Sequence, residues 1–182
     1  EKLLKELENA IHHKRYIKII YQTPYGTQEY NLKPYKIVFM NENFYLASEN
    51  TDERFKFTML RLSQINEIEL QKDQFHHNPD IKDFIKHLQT PFPLYKPQFR
   101  ENLIDVAIHV DKDKAKYFRL KKYLPSQKEE EQEDGSLIVS YKVTQEREME
   151  ELIKKWIPYI KVISPISLKE KIEKELRDYL NL

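Results

Sequence analysis

From Tyr16 to Leu70 apolar and polar side chains alternate almost without a break, and clusters of turn residues cut the run into five pieces. A period of two puts successive side chains on opposite faces of an extended chain, so this stretch calls for strands that each bury one side. YIKIIY, residues 16–21, places Ile17, Ile19 and Tyr21 on one face. TPYG, residues 23–26, then sets Pro second and Gly fourth, as a type I turn prefers. A second strand runs to about Met40, NEN turns the chain, and FYLASE, residues 44–49, follows. After NTDE comes RFKFTMLRL, residues 54–62, with Phe55, Phe57 and Met59 alternating, and NEIEL, residues 66–70, makes a short fifth strand. Five short consecutive antiparallel strands predict a small SH3-like or Sm-like β-barrel, because closure is how so small a sheet hides its edges. Leu3, Leu4, Leu7 and Ile11 recur at helical spacing ahead of it and predict a helix over one open end.

Beyond residue 75 the pattern changes. Residues 76–102 hold Pro79, Pro91, Pro93 and Pro97, which reads as a linker, with DIKDFIKHL as a short helix capped by Asp80. Residues 103–182 then alternate strand and helix: LIDVAIHV, a helix-compatible lysine-rich segment, LIVSYKV, the amphipathic stretch around Met149, Leu152, Ile153 and Trp156, and IKVIS. With the missing strand supplied by the first half of the acidic run before Gly135, the order is a ferredoxin-like βαββαβ. Ser167 and Glu170 predict a capping box for a closing helix striped with Leu168, Ile172, Leu176 and Tyr179. The fold class is therefore α+β: helix and barrel over 1–75, linker over 76–102, and a second domain over 103–182.

Composition removes several function classes. Only Gly26 and Gly135 occur in 182 residues, so neither a phosphate-binding P-loop nor a dinucleotide-binding glycine fingerprint can be written. Cysteine is absent, which removes thiol nucleophiles and thiolate metal sites and fits a reducing compartment. Thirty-one basic against thirty acidic side chains leave a net charge of +1, so any anion site must be local. No apolar run approaches the ~20 residues of a membrane span, and the expectation is a soluble cytoplasmic protein. The histidine pairs His12–His13 and His76–His77 lack the spacing of a metal site, so no metal or cofactor is expected.

The segment from Ile19 to Leu70 resembles the WYL domain of bacterial transcriptional regulators. Its name-giving Trp-Tyr-Leu stands here as Phe44-Tyr45-Leu46, preceded by the Pro34-Tyr35 step and followed by LRLSQI, residues 60–65. Of the usual ending, Phe-Arg-Leu-Asp-Arg-Ile, the chain keeps Arg61, Leu62 and Ile65 and departs at Leu60, Ser63 and Gln64. KVISPISLKEKIEKEL resembles the C-terminal extension that follows such domains. The resemblance implies an Sm-like barrel in a homodimeric regulator that senses a ligand, in several cases a nucleotide or single-stranded nucleic acid. It also implies an upstream winged helix-turn-helix that contacts DNA; the missing initiating Met suggests that this part lies outside the chain.

The residues that would take such a ligand are Tyr21, Tyr35 and Tyr45 for stacking, Arg54, Lys56 and Arg61 for phosphate, and Thr23 as a hydroxyl donor at the same mouth. The three tyrosines fit equally a core role with the hydroxyl at a wet rim, and the cations fit solvated surface paired with Glu42, Asp52 and Glu53. Phe44, Leu46 and Phe57 are expected in the core. Two other readings stay open: a metal-independent nuclease using the same face, and a ligand-free Sm-like oligomerisation module whose tyrosines meet a neighbouring subunit. The absence of His between Tyr16 and Leu70 speaks against acid–base catalysis there.

Overall fold

The alternating run folds as five antiparallel strands: β1 (Arg15–Thr23), β2 (Gly26–Met40), β3 (Asn43–Asn50), β4 (Phe57–Arg61) and β5 (Ile65–Gln74). This computed structural model describes residues 1–182, which form two units, Glu1–Pro97 and Gln98–Leu182. In the first, the sheet order is β4-β3-β2-β1-β5. A single 3-10 turn, Leu62–Gln64, redirects the chain after β4, so that β5 pairs with β1 instead of with its predecessor. No ladder joins β4 to β5, and the expected barrel is therefore an open sheet in its hydrogen bonding.

Two backbone features fix the register. Asn41 and Glu42 both take positive φ, 47° and 64°, the two-residue hairpin turn whose twist matches its strands. Lys56 is also left-handed, at φ 46°, and its carbonyl accepts from the Asn50 N–H at 2.7 Å. That turn delays β4 to Phe57, so Arg54 and Phe55, expected within the strand, sit in the loop before it.

Helix α1 (Lys2–His12) lays Leu7 and Ala10 on a core of Ile17, Ile19, Leu32, Leu46, Leu60 and Ile65. Each large aliphatic side chain buried there contributes roughly 1.5–3 kcal/mol. Phe44 does not join them. It is 55% exposed and packs on Phe39 across the β2–β3 turn, at a centroid distance of 5.0 Å, because both rings lie where the hairpin runs out past the core. Leu46 and Phe57 are buried as expected.

Helix α2 (Pro79–Lys86) is capped by Asn78 and not by Asp80; the Asn78 side chain accepts the Asp80 N–H at 2.9 Å, and Pro79 occupies the first turn, where no donor is lost. Its buried Phe84 sets its ring against Phe57, 5.0 Å between centroids, and against Tyr95.

The second unit runs β6 (Ile104–Val110), α3 (Ala115–Leu120), β7 (Lys128–Glu131), β8 (Leu137–Val143), α4 (Arg147–Trp156), β9 (Ile160–Ser164) and α5 (Ile166–Leu180). Its antiparallel sheet has the order β7-β8-β6-β9. Alternate residues of β6 and β8, Val106, Ile108, Val110, Leu137, Val139, Tyr141 and Val143, bury one face with Phe118, Met149 and Ile153 from α3 and α4. The expected capping box on α5 is absent: Pro165 precedes the helix, and the Ser167 hydroxyl donates to Glu146 instead. Leu168 and Ile172 are buried, whereas Leu176 and Tyr179 are exposed. No helix is long and apolar enough to cross a membrane.

Candidate functional site

Alternation along β3 puts Tyr45, Ala47 and Glu49 on the face opposite Leu46. The partner strand β4 sets Arg61 across from Tyr45, Met59 across from Ala47 and Phe57 across from Glu49. That face carries two polar foci separated by four residues of strand, about 13 Å.

The first focus is built on Arg61. Its guanidinium Nη2 donates to the Tyr45 hydroxyl at 3.3 Å and its centre lies 5.8 Å from the Tyr45 ring centroid. Its backbone N–H donates to the Tyr21 hydroxyl at 3.2 Å, and that hydroxyl in turn donates to Gln64 Oε1 at 2.6 Å. Tyr21 meets Tyr30 edge to face at 6.0 Å. Burial pushes the Tyr21 hydroxyl above its usual range, against the opposing pull of the Arg61 N–H, so it stays a donor. Tyr45 is only 6% exposed, and Arg61 beside it is half-buried. A guanidinium fork held by a phenol suits bidentate binding of a phosphate or carboxylate.

The second focus is the Glu49 carboxylate, on a residue 3% exposed. Tyr35 donates its hydroxyl to Glu49 Oε2 at 2.9 Å, and the ammoniums of Lys56 and Lys33 stand 3.2 and 3.6 Å from Oε1. The same Tyr35 oxygen accepts the Asn78 N–H at 2.8 Å, just ahead of α2. Burial raises the Tyr35 pKa; the Asn78 bond opposes this and the carboxylate adds to it. Burial also lowers the Lys56 pKa, but the hydrogen bond and charge of Glu49 outweigh it and the net shift is upward. The Tyr35 ring stacks on His77, 4.4 Å between centroids and 15° between planes. Both His77 nitrogens are buried with no hydrogen-bond partner, and burial, with Lys14 and Lys82 nearby, pushes its pKa down.

The seven residues singled out in the sequence thus separate into three places. Tyr21, Tyr45 and Arg61 come together. Tyr35 and Lys56 belong to the Glu49 network, where the lysine's charge is matched by a carboxylate. Arg54 and Thr23 serve turns: Arg54 forks onto Asp52, Nη2 to Oδ2 2.6 Å, and Thr23 donates to the Gly26 carbonyl at 2.7 Å. Tyr35 is engaged by Glu49 and His77. Glu49 and Gln64 were missed; a carboxylate inside FYLASE, at a position bound to face inward if Tyr45 and Ala47 do, was the one available signal.

Residues 2–70 match the WYL domain and residues 102–180 match the WCX domain. The chain therefore carries a WYL domain followed by a WCX domain. Among solved structures, a CRISPR Cas-related protein is 16% identical with a TM-score of 0.60, over 99% of this chain and 50% of its own. Proteasome accessory factor B/C (PafBC) of Arthrobacter aurescens is 13% identical with a TM-score of 0.40, over 93% of this chain and 25% of its own. The chain thus spans half or less of the length of these structures, and the likeness to the first, at such identity, shows the fold alone. No curated protein matches the sequence. Within the WYL unit the name-giving triplet divides by face: Phe44 protrudes beside the turn, Leu46 enters the core under α1, and Tyr45 turns to Arg61.

Proposed function

We propose that this WYL–WCX chain is the ligand-sensing region of a bacterial DNA-binding transcriptional regulator. It takes a nucleotide or single-stranded nucleic acid at the Arg61 end of β3 and β4. The observation that carries this reading is Arg61 itself, whose guanidinium meets Tyr45 while its backbone N–H meets Tyr21, so that residues of β1, β3 and β4 converge at one arginine. In this reading the first unit is an Sm-like barrel left unpaired between β4 and β5, and residues 103–182 are its ferredoxin-like extension. DNA is contacted by another domain of the regulator, which works as a cytoplasmic homodimer. Binding shifts the population between two arrangements of that dimer and needs no catalysis. The oligomerisation alternative relied on tyrosines facing a subunit, and Tyr35 and Tyr45 are both buried within this chain.

The test is fluorescence polarisation of a labelled nucleotide and a short labelled oligonucleotide with the full chain. Arg61→Ala is expected to weaken binding tenfold or more, since a charged hydrogen bond is worth roughly 1.5–3 kcal/mol. Arg61→Lys is expected to restore little of the loss, because an ammonium lacks the fork. Equal affinity in all three proteins would refute the site, and release of a cleaved product abolished in Arg61→Ala would support the nuclease instead.

A further inference from the structure

The second unit carries a basic and aromatic surface that the reading above does not use. The lysine-rich segment DKDKAKYFRLKKYL, residues 111–124, follows β6 and contains α3. Two of its cations are matched by carboxylates: Arg119 forks onto Glu131, Nε to Oε1 2.5 Å, and Lys122 sits 2.9 Å from Glu129. Three of the others lie over rings. The Lys114 ammonium stands 4.7 Å from the centroid of Tyr159 and 5.8 Å from that of Tyr117, Lys116 stands 5.2 Å from Tyr117, and Lys121 stands 5.2 Å from Tyr123.

Tyr123 packs against the core, whereas Tyr117 and Tyr159 stand out from it. Tyr117 and Tyr159 are 40% and 41% exposed, and Tyr117 and Tyr123 back onto Trp156 at centroid distances of 5.6 and 5.7 Å. The Asp111 N–H donates to the Tyr159 carbonyl at 2.9 Å, which ties the start of the lysine segment to the β9 side of the surface. Asp111 and Asp113 are the acidic members of the segment, and the Asp111 carboxylate is engaged by the Asp113 N–H. An ammonium over a phenol is a weak contact at an exposed site, about 0.5–1 kcal/mol. Phosphate would draw these lysines aside, and the rings they now cover would be left as stacking platforms.

We propose that the surface formed by Lys114, Lys116, Lys121, Tyr117 and Tyr159 binds single-stranded nucleic acid, with phosphates on the ammoniums and bases on the tyrosines. Alternation of unpaired cations with exposed rings is what a base-and-phosphate polymer requires. An acidic peptide would use the lysines and leave the rings idle, and an anionic vesicle would do the same. The site belongs to a different unit from Arg61 and stands or falls independently of it.

Trp156 makes the two separable, because it is the chain's one tryptophan and it lies behind Tyr117 and Tyr123. A short oligothymidylate titrated into the full chain at low salt is expected to change Trp156 fluorescence saturably. The affinity is expected to fall with salt at a slope of about −2 in log K against log salt, as three phosphate contacts give on a single strand. Tyr159→Ala is expected to weaken the response fivefold or more, the equivalent of losing about 1 kcal/mol of base stacking. Lys114→Glu combined with Lys116→Glu is expected to abolish it, with an unchanged circular dichroism spectrum showing that the fold is retained. Arg61→Ala is expected to leave it unchanged, so failure here and failure at Arg61 are told apart. The proposal is overturned if oligothymidylate leaves Trp156 unchanged at low salt or if Tyr159→Ala binds as the parent does. An equal response to polyglutamate, or to phosphatidylserine vesicles, would also overturn it, since the surface would then be a site for charge alone.

Discussion

Replacing Glu49 by Ala removes the centre of the most buried charged network in the first unit. The Tyr35 hydroxyl, 2.9 Å from the carboxylate, loses the acceptor for its proton, and an unsatisfied buried donor costs roughly 1–3 kcal/mol. Lys56 and Lys33 lose their counter-charge at 3.2 and 3.6 Å. Both lysine side chains keep contact with solvent, so each pair contributes only about 0.2–1 kcal/mol, well short of the several kcal/mol of a fully buried pair. Glu49→Ala should therefore destabilise the first unit by about 2–4 kcal/mol, with the larger part in the hydrogen bond. For a unit of this size each kcal/mol moves the melting temperature by roughly 4–8 °C, so a fall of about 8–32 °C is expected. Glu49→Gln keeps an acceptor for Tyr35 and should cost only about 1 kcal/mol. Thermal unfolding followed by near-ultraviolet tyrosine circular dichroism measures both. An Ala variant as stable as the parent, or a Gln variant as unstable as Ala, would refute the assignment of the stability to the Tyr35 hydrogen bond.

His77 should make the first unit sensitive to acid. Its folded pKa lies below the ordinary value of 6.5, so below about that pH the unfolded chain takes up the proton more readily and stability falls as pH drops, while above it His77 contributes no slope. His77→Phe keeps the stack on Tyr35 and should flatten this part of a urea-denaturation pH profile; an unchanged profile would count against it. In the WYL triplet, Leu46→Ala should cost about 2–5 kcal/mol, whereas Phe44→Ala, at a half-exposed turn, should cost under ~1 kcal/mol by the same denaturation assay. Gln127 in the second unit donates to the carbonyls of Phe118 and Lys121 at 3.0 and 2.9 Å and accepts from the Tyr141 hydroxyl at 2.8 Å. Gln127→Leu leaves those buried groups unmatched and should cost about 2–4 kcal/mol, read as an earlier unfolding transition of Trp156 fluorescence.

The parts of the fold that a two-residue or 3.6-residue period can encode were legible in the sequence. Ile17, Ile19 and Leu46 point inward as their alternation requires, and β6, β8 and β9 lie where their apolar runs end. Features decided by a single hydrogen bond were not. Asn78 and Asp80 are both good helix caps, and only the backbone path ahead of Pro79 selects the first. Ser167 finds the carboxylate of Glu146, the residue just ahead of α4, before it finds its own helix. Phe44 alternates correctly yet lies beyond the reach of the core, which no periodicity records. The candidate site was half legible: Tyr45 and Arg61 sit opposite each other in the β3–β4 register, but the irregular pairing between Pro34 and Lys36 sets Tyr35 toward Glu49 and away from them. A strand with a register shift loses the simple face assignment that alternation provides.

Backbone amide chemical-shift mapping reads out whether Arg61, Tyr45 and Tyr21 form a ligand site. Titrating the full chain with a short oligonucleotide or a nucleotide is expected to move the amides of Tyr21, Tyr45, Arg61 and Gln64 together along one saturating curve that disappears in Arg61→Ala. Saturable binding that leaves those four amides in place, or that persists unchanged in the variant, would contradict it.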